Sequence, residues 1–328
     1  MFKKISLNLK LFLGAFFLSL PFWWSVNIFQ KNLEDFFFKF ETVDGPQIFA
    51  AQIVIPQKIS SEAPLRNWII DNLKIDAKSA ISVFVDSQGK EKIIFEKSVD
   101  EKLPIASLTK LMTADIVWEK YDLSQSIQIS AEAVKAVKEE GASGNFKTGE
   151  NLKVENLIHS LLIESSNDAA EALTEVIGRE AFVSLMNLQA TSTIGMRNTS
   201  FVNPTGLDPD EPNGPINYST ARDLAKLTSY LYQKYPQILQ ISALPEYDLY
   251  TSEGIFHHKA INTDGLLGKV PGILGSKTGL TPAAGGCLVL VQKSPNNKGV
   301  IINVILGSAD RFGEMKKLID WVGQAYQW

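Results

Sequence analysis

Apolar residues are distributed along the chain in three different ways. At the amino terminus they run without interruption: residues 11–29 contain no charge and are dominated by Leu, Phe, Trp and Val, directly behind Lys3, Lys4 and Lys10. A helix that crosses the hydrocarbon layer needs ~20 such residues, and basic residues stay on the cytoplasmic side. The pattern therefore predicts an amino-terminal membrane anchor within residues 1–30. It makes the chain a single-pass cell-membrane protein with everything downstream extracytoplasmic. The competing expectation is a cleaved signal, which would leave the chain secreted. Such signals have an apolar segment of ~7 to 15 residues followed by small residues, whereas Trp23-Trp24-Ser25 follows here and the pair Ala50-Ala51 is distant. Residues 31–64 mix Phe36-Phe37-Phe38 with Pro46, Pro56 and Pro64 and read as a stalk.

Beyond residue 65 the pattern becomes periodic. β-formers over 79–86 and 93–97 flank the turn-like Ser87-Gln88-Gly89-Lys90, a hairpin signature. Helical spacing follows over 107–119, 131–138, 154–163, 167–177 and 179–191. Thr220 with Asp223 three residues on resembles a capping box, which opens a further helix to about residue 232. Three more strands are predicted over 269–277, 286–293 and 300–306, punctuated by Gly, Pro and Asn. A last helix from Phe312 aligns Met315, Ile319, Val322 and Tyr326 on one face, a core-facing stripe. Strands at both ends with helices between them predict an α/β (α+β) domain over residues 65–328. Its antiparallel sheet would be closed by the two halves of the chain, flanked by helices and joined by a helical subdomain.

Composition narrows the function classes. A net charge of −4 with pI ≈ 5.6 gives no basic surface of the kind nucleic-acid binders concentrate, so nucleic acid is excluded as a partner. The single cysteine, Cys287, cannot form an internal disulfide or supply a Cys-based metal site. His159, His257 and His258 form no His-Glu-x-x-His pattern and are assigned no metal. No cofactor is called for.

Ser107 and Lys110 stand three apart, a spacing that places both on one helix face. A serine hydroxyl needs a base to take its proton, and a lysine can be that base once its pKa is lowered by burial and a neighbouring cation. Pro104 upstream sets Ser107 in the first turn. The spacing alone is weak, because Ser87 and Lys90 repeat it in a turn. Support comes from Ser165-Ser166-Asn167 after the helix over 154–163, and from Lys277-Thr278-Gly279 on a predicted strand. Ser143-Gly144-Asn145 and Lys147-Thr148-Gly149 match the same tripeptides but lie too close together to form opposite walls of a cleft.

The ordered set Ser-x-x-Lys, Ser-x-Asn, Lys-Thr-Gly resembles the penicillin-recognising serine enzymes. Residues 104–114 and 161–170, Asn203-Pro204-Thr205-Gly206-Leu207 and residues 277–285 narrow the likeness to the low-molecular-mass D-alanyl-D-alanine carboxypeptidases. The resemblance implies a β-lactamase/transpeptidase-like fold and a peptidoglycan stem peptide ending in D-Ala-D-Ala as substrate, with β-lactams as covalent inhibitors. It implies Ser107 as nucleophile, Lys110 as general base, Ser165 as proton relay and Asn167 as orienting group. Lys277 and Thr278 would hold the substrate carboxylate, and Gly279 would let the strand approach. The backbone amides of Ser107 and Leu280 would form the oxyanion hole, where each donor is worth ~10² to 10³ in rate. Arg311 is either a second carboxylate clamp or a surface arginine. D,D-endopeptidase, β-lactamase and noncatalytic penicillin-binding sensor are the alternative activities. The β-lactamase lacks a convincing water-activating glutamate between Asp168 and Lys277, and a sensor would need an effector domain.

Overall fold

Strand-forming runs from the two ends of the periodic region meet in one sheet. The computed structural model describes residues 63–138, 145–211 and 213–328, all within the unit formed by residues 60–328. The strands are β1 (Ser79–Asp86), β2 (Glu91–Lys97), β3 (Ile273–Thr281), β4 (Gly285–Lys293) and β5 (Gly299–Ser308). Their order is β3-β4-β5-β1-β2, antiparallel throughout. The two halves of the chain join where β5 pairs with β1, with Val304 opposite Ile81.

Alternation along these strands divides the core in two. Ile81, Val83, Val85, Val289, Val291, Ile302 and Val304 face one buried cluster. Ala80, Phe84, Leu288, Leu290, Ile301 and Ile305 face the other. The first cluster is shared with a helical insert: α1 (Lys110–Lys120), α2 (Val154–Ile163), α3 (Asn167–Glu175), α4 (Ala221–Lys234) and the short α5 (Pro236–Ser242). The second is covered by α6 (Arg311–Ala325) through Met315, Leu318 and Val322. Every residue of α1 from Lys110 to Val117 is buried, which makes α1 the centre of the insert. It also removes Lys110 from water.

Local expectations met the structure with informative offsets. Thr220 caps α4 by accepting from Asp223 N at 3.1 Å, but the Asp223 carboxylate turns away to accept from Asn198 N and Thr199 Oγ1. The strand predicted over 269–277 begins instead at Ile273, because Pro271 and Gly272, the latter at φ +78°, break the run before it. Lys277-Thr278-Gly279 consequently lies inside the strand. Cys287 is fully buried in β4, as an inert thiol would be.

The expectation of a single-pass membrane protein is corrected. Among the described residues no helix is long and apolar enough to cross a membrane. The longest, α6, has 15 residues and would span about 22 Å at ~1.5 Å per residue, short of a hydrocarbon layer of ~30 Å. The apolar run over 11–29 and nearly all of the stalk lie outside the described residues.

Candidate active site

Ser107 does not sit on α1 itself but in the tight turn Ala106–Thr109 that leads into it. Ala106 holds φ 48°, a left-handed conformation that disfavours a residue with a Cβ by about 1 kcal/mol or more. Neighbouring groups fix that turn. Thr109 Oγ1 donates to Ala106 O at 2.8 Å, and Asn217 Nδ2 donates to Thr109 Oγ1 at 2.9 Å. Gly206 packs so closely that an added Cβ would stand 1.9 Å from Ala106 O.

Lys110 Nζ lies 2.9 Å from Ser107 Oγ, 2.6 Å from Asn167 Oδ1 and 2.7 Å from Thr205 O. The amide and peptide oxygens can only accept. An ammonium would satisfy all three neighbours. A neutral amine spends its two hydrogens on Asn167 and Thr205 and turns its lone pair to the serine. The neutral form is favoured, since burial, and after it the charge of Lys277, holds the Lys110 pKa well below the usual lysine range against the opposing pull of Glu171 and Asp168.

The second wall is the link between α2 and α3. Ser165 takes φ 66° there, and Ser166 caps α3 by accepting from Ala169 N at 3.1 Å. Asn167, the first residue of α3, is thereby aimed at Lys110. Glu164, which precedes Ser165, accepts from Ser160 Oγ at 2.6 Å and from His258 Nε2 at 2.9 Å.

The third wall is β3, an edge strand. A Cβ on Gly279 would meet Ala106 Cβ at 3.0 Å and Ser107 N at 3.2 Å, so a side chain there would press the Ser107 turn back by a few tenths of an ångström. Thr278 Oγ1 lies 2.5 Å from Thr263 Oγ1. Lys277 is buried, with Nζ donating to Thr278 O at 3.1 Å. Its pKa is pushed down to about 7 by burial first and the charge of Arg311 second, while Asp264 opposes.

Ser107, Ser165, Asn167, Thr278, Gly279 and Arg311 line one cleft of about 290 Å³, with Leu280, 64% exposed, at its rim. The structure thus brings Arg311 to the cleft, and its Nε has no hydrogen-bond partner among the described residues. Lys277 lies beneath the lining. A larger hollow of about 780 Å³ runs along β2, lined by Arg66, Trp68, Trp321 and Tyr326 among others, but none of the candidate residues reaches it. Chemistry selects the smaller cleft. The sequence reading assigned no role to Thr205, Asn217, Thr263 or Glu164. Thr205 lay inside the quoted Asn-Pro-Thr-Gly segment, yet its contribution is a carbonyl that side-chain identity does not advertise.

A serine in a rigid turn with a lysine at the start of the helix behind it, faced by an Asn-bearing helix start and a Lys-Thr-Gly edge strand, defines the class of penicillin-recognising serine enzymes. The chain belongs to the D-alanyl-D-alanine carboxypeptidase family (Peptidase_S11), whose profile matches residues 66–310. It is 31% identical over 264 residues to the D-alanyl-D-alanine carboxypeptidase DacF of Bacillus subtilis, covering 77% of this chain and 63% of that protein. The chain thus spans less than two thirds of that relative's length. It is 32% identical over 248 residues to a D-alanyl-D-alanine endopeptidase of Pseudomonas aeruginosa, covering 74% and 76%. Among solved structures it is similar to a mutant of a Streptomyces DD-transpeptidase, with TM-score 0.68, 26% identity and coverage of 77% of this chain and all of that one. It is also similar to a Listeria monocytogenes penicillin-binding protein in its ampicillin-bound form, with TM-score 0.64, 30% identity and coverage of 78% and 100%.

Proposed function

We propose that this protein is a serine D-alanyl-D-alanine carboxypeptidase, with residues 65–328 as its catalytic domain. The carrying observation is Lys110 Nζ, 2.9 Å from Ser107 Oγ, with its other two near neighbours acceptor-only oxygens. The lone pair of neutral Lys110 takes the Ser107 proton as Oγ attacks the carbonyl between the two terminal D-alanines of a peptidoglycan stem peptide. The carbonyl π electrons move to oxygen, where the amides of Ser107 and Leu280 would hold the charge. As the tetrahedral centre collapses the C–N bond breaks, and Ser165 relays the proton held by Lys110 to the leaving amine of D-alanine, which returns Lys110 to its neutral form. Water then attacks the acyl-enzyme by the same route in reverse, freeing Ser107. Thr278 and Arg311 face the cleft where the terminal carboxylate would lie. Lys277 adds positive potential from beneath and helps keep Lys110 neutral. A β-lactam would acylate Ser107 in the same way and block it.

A second reading, D,D-endopeptidase, is favoured by the Pseudomonas relative of that name, of which this chain covers 76%. The bond cleaved differs; the residues do not. Incubation with labelled penicillin, a pentapeptide ending in D-Ala-D-Ala and a cross-linked stem-peptide dimer tests both readings. Ser107→Ala should acquire no label and release no D-alanine. Label on that variant would refute the nucleophile, and dimer cleavage without D-alanine release would favour the endopeptidase.

A further inference from the structure

Outside the lysine–serine machinery, four titratable side chains form a continuous chain that ends at the cleft. Glu150 Oε2 lies 3.1 Å from His257 Nε2, His257 Nδ1 lies 2.5 Å from His258 Nδ1, and His258 Nε2 lies 2.9 and 3.1 Å from the two oxygens of Glu164. Phe146 packs on both imidazoles, with ring centroids at 5.3 and 6.0 Å. The pair lies on the strand Phe256–Ile261. Of the other charged groups nearby, Asp168 at the start of α3 lies close enough to feel the charge of Glu164. Lys259, next on the strand, turns to Glu246 at 2.6 Å.

The hydrogens can be counted. The contacts Glu150 to His257, His257 to His258 and His258 to Glu164 need one hydrogen each, and carboxylates only accept. Two neutral imidazoles carry one N–H apiece. The chain closes only when the pair holds one further proton, taken from solvent and shared between the rings.

What this proton secures is Glu164. That carboxylate is pinned on one side by Ser160 and on the other by His258, and the next residue, Ser165, occupies a left-handed backbone conformation that its surroundings must enforce. We propose that Glu164 is a positioning residue for Ser165, and that its hold depends on one proton shared by His257 and His258. The inference rests on the acyl-enzyme reading given above. Raising the pH removes that proton: one of the three contacts opens, the bond to Glu164 loses its positive charge and weakens, and Ser165 drifts from its place in the cleft. The loss falls on the alkaline side, whereas protonation of Lys110 acts on the acid side.

Imidazole ¹⁵N NMR of the full chain reads the proton directly, and penicillin acylation against pH reads its consequence. The two rings should take up a single proton together, and acylation should fall about tenfold as that proton leaves, the size of one hydrogen bond to a charged group. In Glu150→Ala the contact to His257 Nε2 is gone, so two neutral rings supply the two contacts that remain and the alkaline fall should vanish. Independent titration of the rings, a flat acylation rate across that window, or an unchanged fall in Glu150→Ala would each overturn the proposal. The first two are measured on the wild type and stand even if the variant does not fold. Labelling of Ser107 at the pH of full activity separates the readings: no label refutes the acyl-enzyme itself, while normal label with an unaltered alkaline limb refutes only the role of the histidine pair.

Discussion

At the scale of single residues, Gly206 and Lys110 make the sharpest demands. Gly206 holds φ +84° and faces Ala106 O at a distance no Cβ could occupy. Gly206→Ala must push the Ser107 turn aside, and a shift of about 1 Å is worth ~10² in rate. Penicillin acylation should drop by that order, and a variant within threefold of wild type would deny the turn its role. Lys110 gives a pH prediction. The proposed base works in its neutral form, so acylation should rise with pH as the ammonium loses its third proton and fall on the acid side. Lys277→Met removes the cation that helps lower the Lys110 pKa. Lys110 then keeps its proton to higher pH, and the acid limb of the acylation profile should move to higher pH; a limb displaced the other way contradicts the electrostatic account. That Ser107, Lys110, Ser165, Asn167 and Gly279 meet at one site was legible in the sequence because each belongs to a local motif marked by its side chain, or the lack of one. Glu164, His257 and His258 were not, since their meaning arises only when the strand Phe256–Ile261 packs beside the end of α2. Arg311 stood alone in sequence, and only the start of α6 brings it to the cleft.

Elements that begin at the site turn local stability into function. Asp310 caps α6, accepting from Gly313 N at 2.9 Å, and a Cβ on Gly313 would meet Asp310 Oδ2 at 2.1 Å. Gly313→Ala should break that cap at a cost of about 1 kcal/mol, lowering Tm by roughly 2–4 °C for a domain of this size. Because Arg311 is the first residue of the helix, KM for the pentapeptide should rise in step; a lowered Tm with unchanged KM would detach Arg311 from substrate. The helices over 131–138 and 154–163 and the strand over 79–86 were legible to the residue, the strand by its run of β-forming residues, since it is buried throughout. The hairpin Glu246–Tyr250 with Phe256–Ile261 was not, as its strands are short and each buries a single residue, Leu249 and Ala260. The seven-residue α5 is too short for a helical period to emerge.

Across the whole unit, the sheet takes β1 and β2 from before the helical insert and β3 to β5 from after it. The insert shares one hydrophobic cluster with that sheet, so the two should unfold together. Trp118 in α1 and Trp321 in α6 report on opposite sides of the sheet. Single-tryptophan variants should give coincident denaturant midpoints, matching the loss of penicillin labelling; separated midpoints would make the insert an independent folding unit. The strand order also bears on the chain during its manufacture. Synthesis proceeds from the amino terminus, so Ser107 and Lys110 are made long before the strand that carries Lys277, and β1 must wait for β5, its partner, until most of the chain exists. A nascent chain should therefore possess a serine and a lysine without an acylating site. Acylation has to await the strand that carries Lys277.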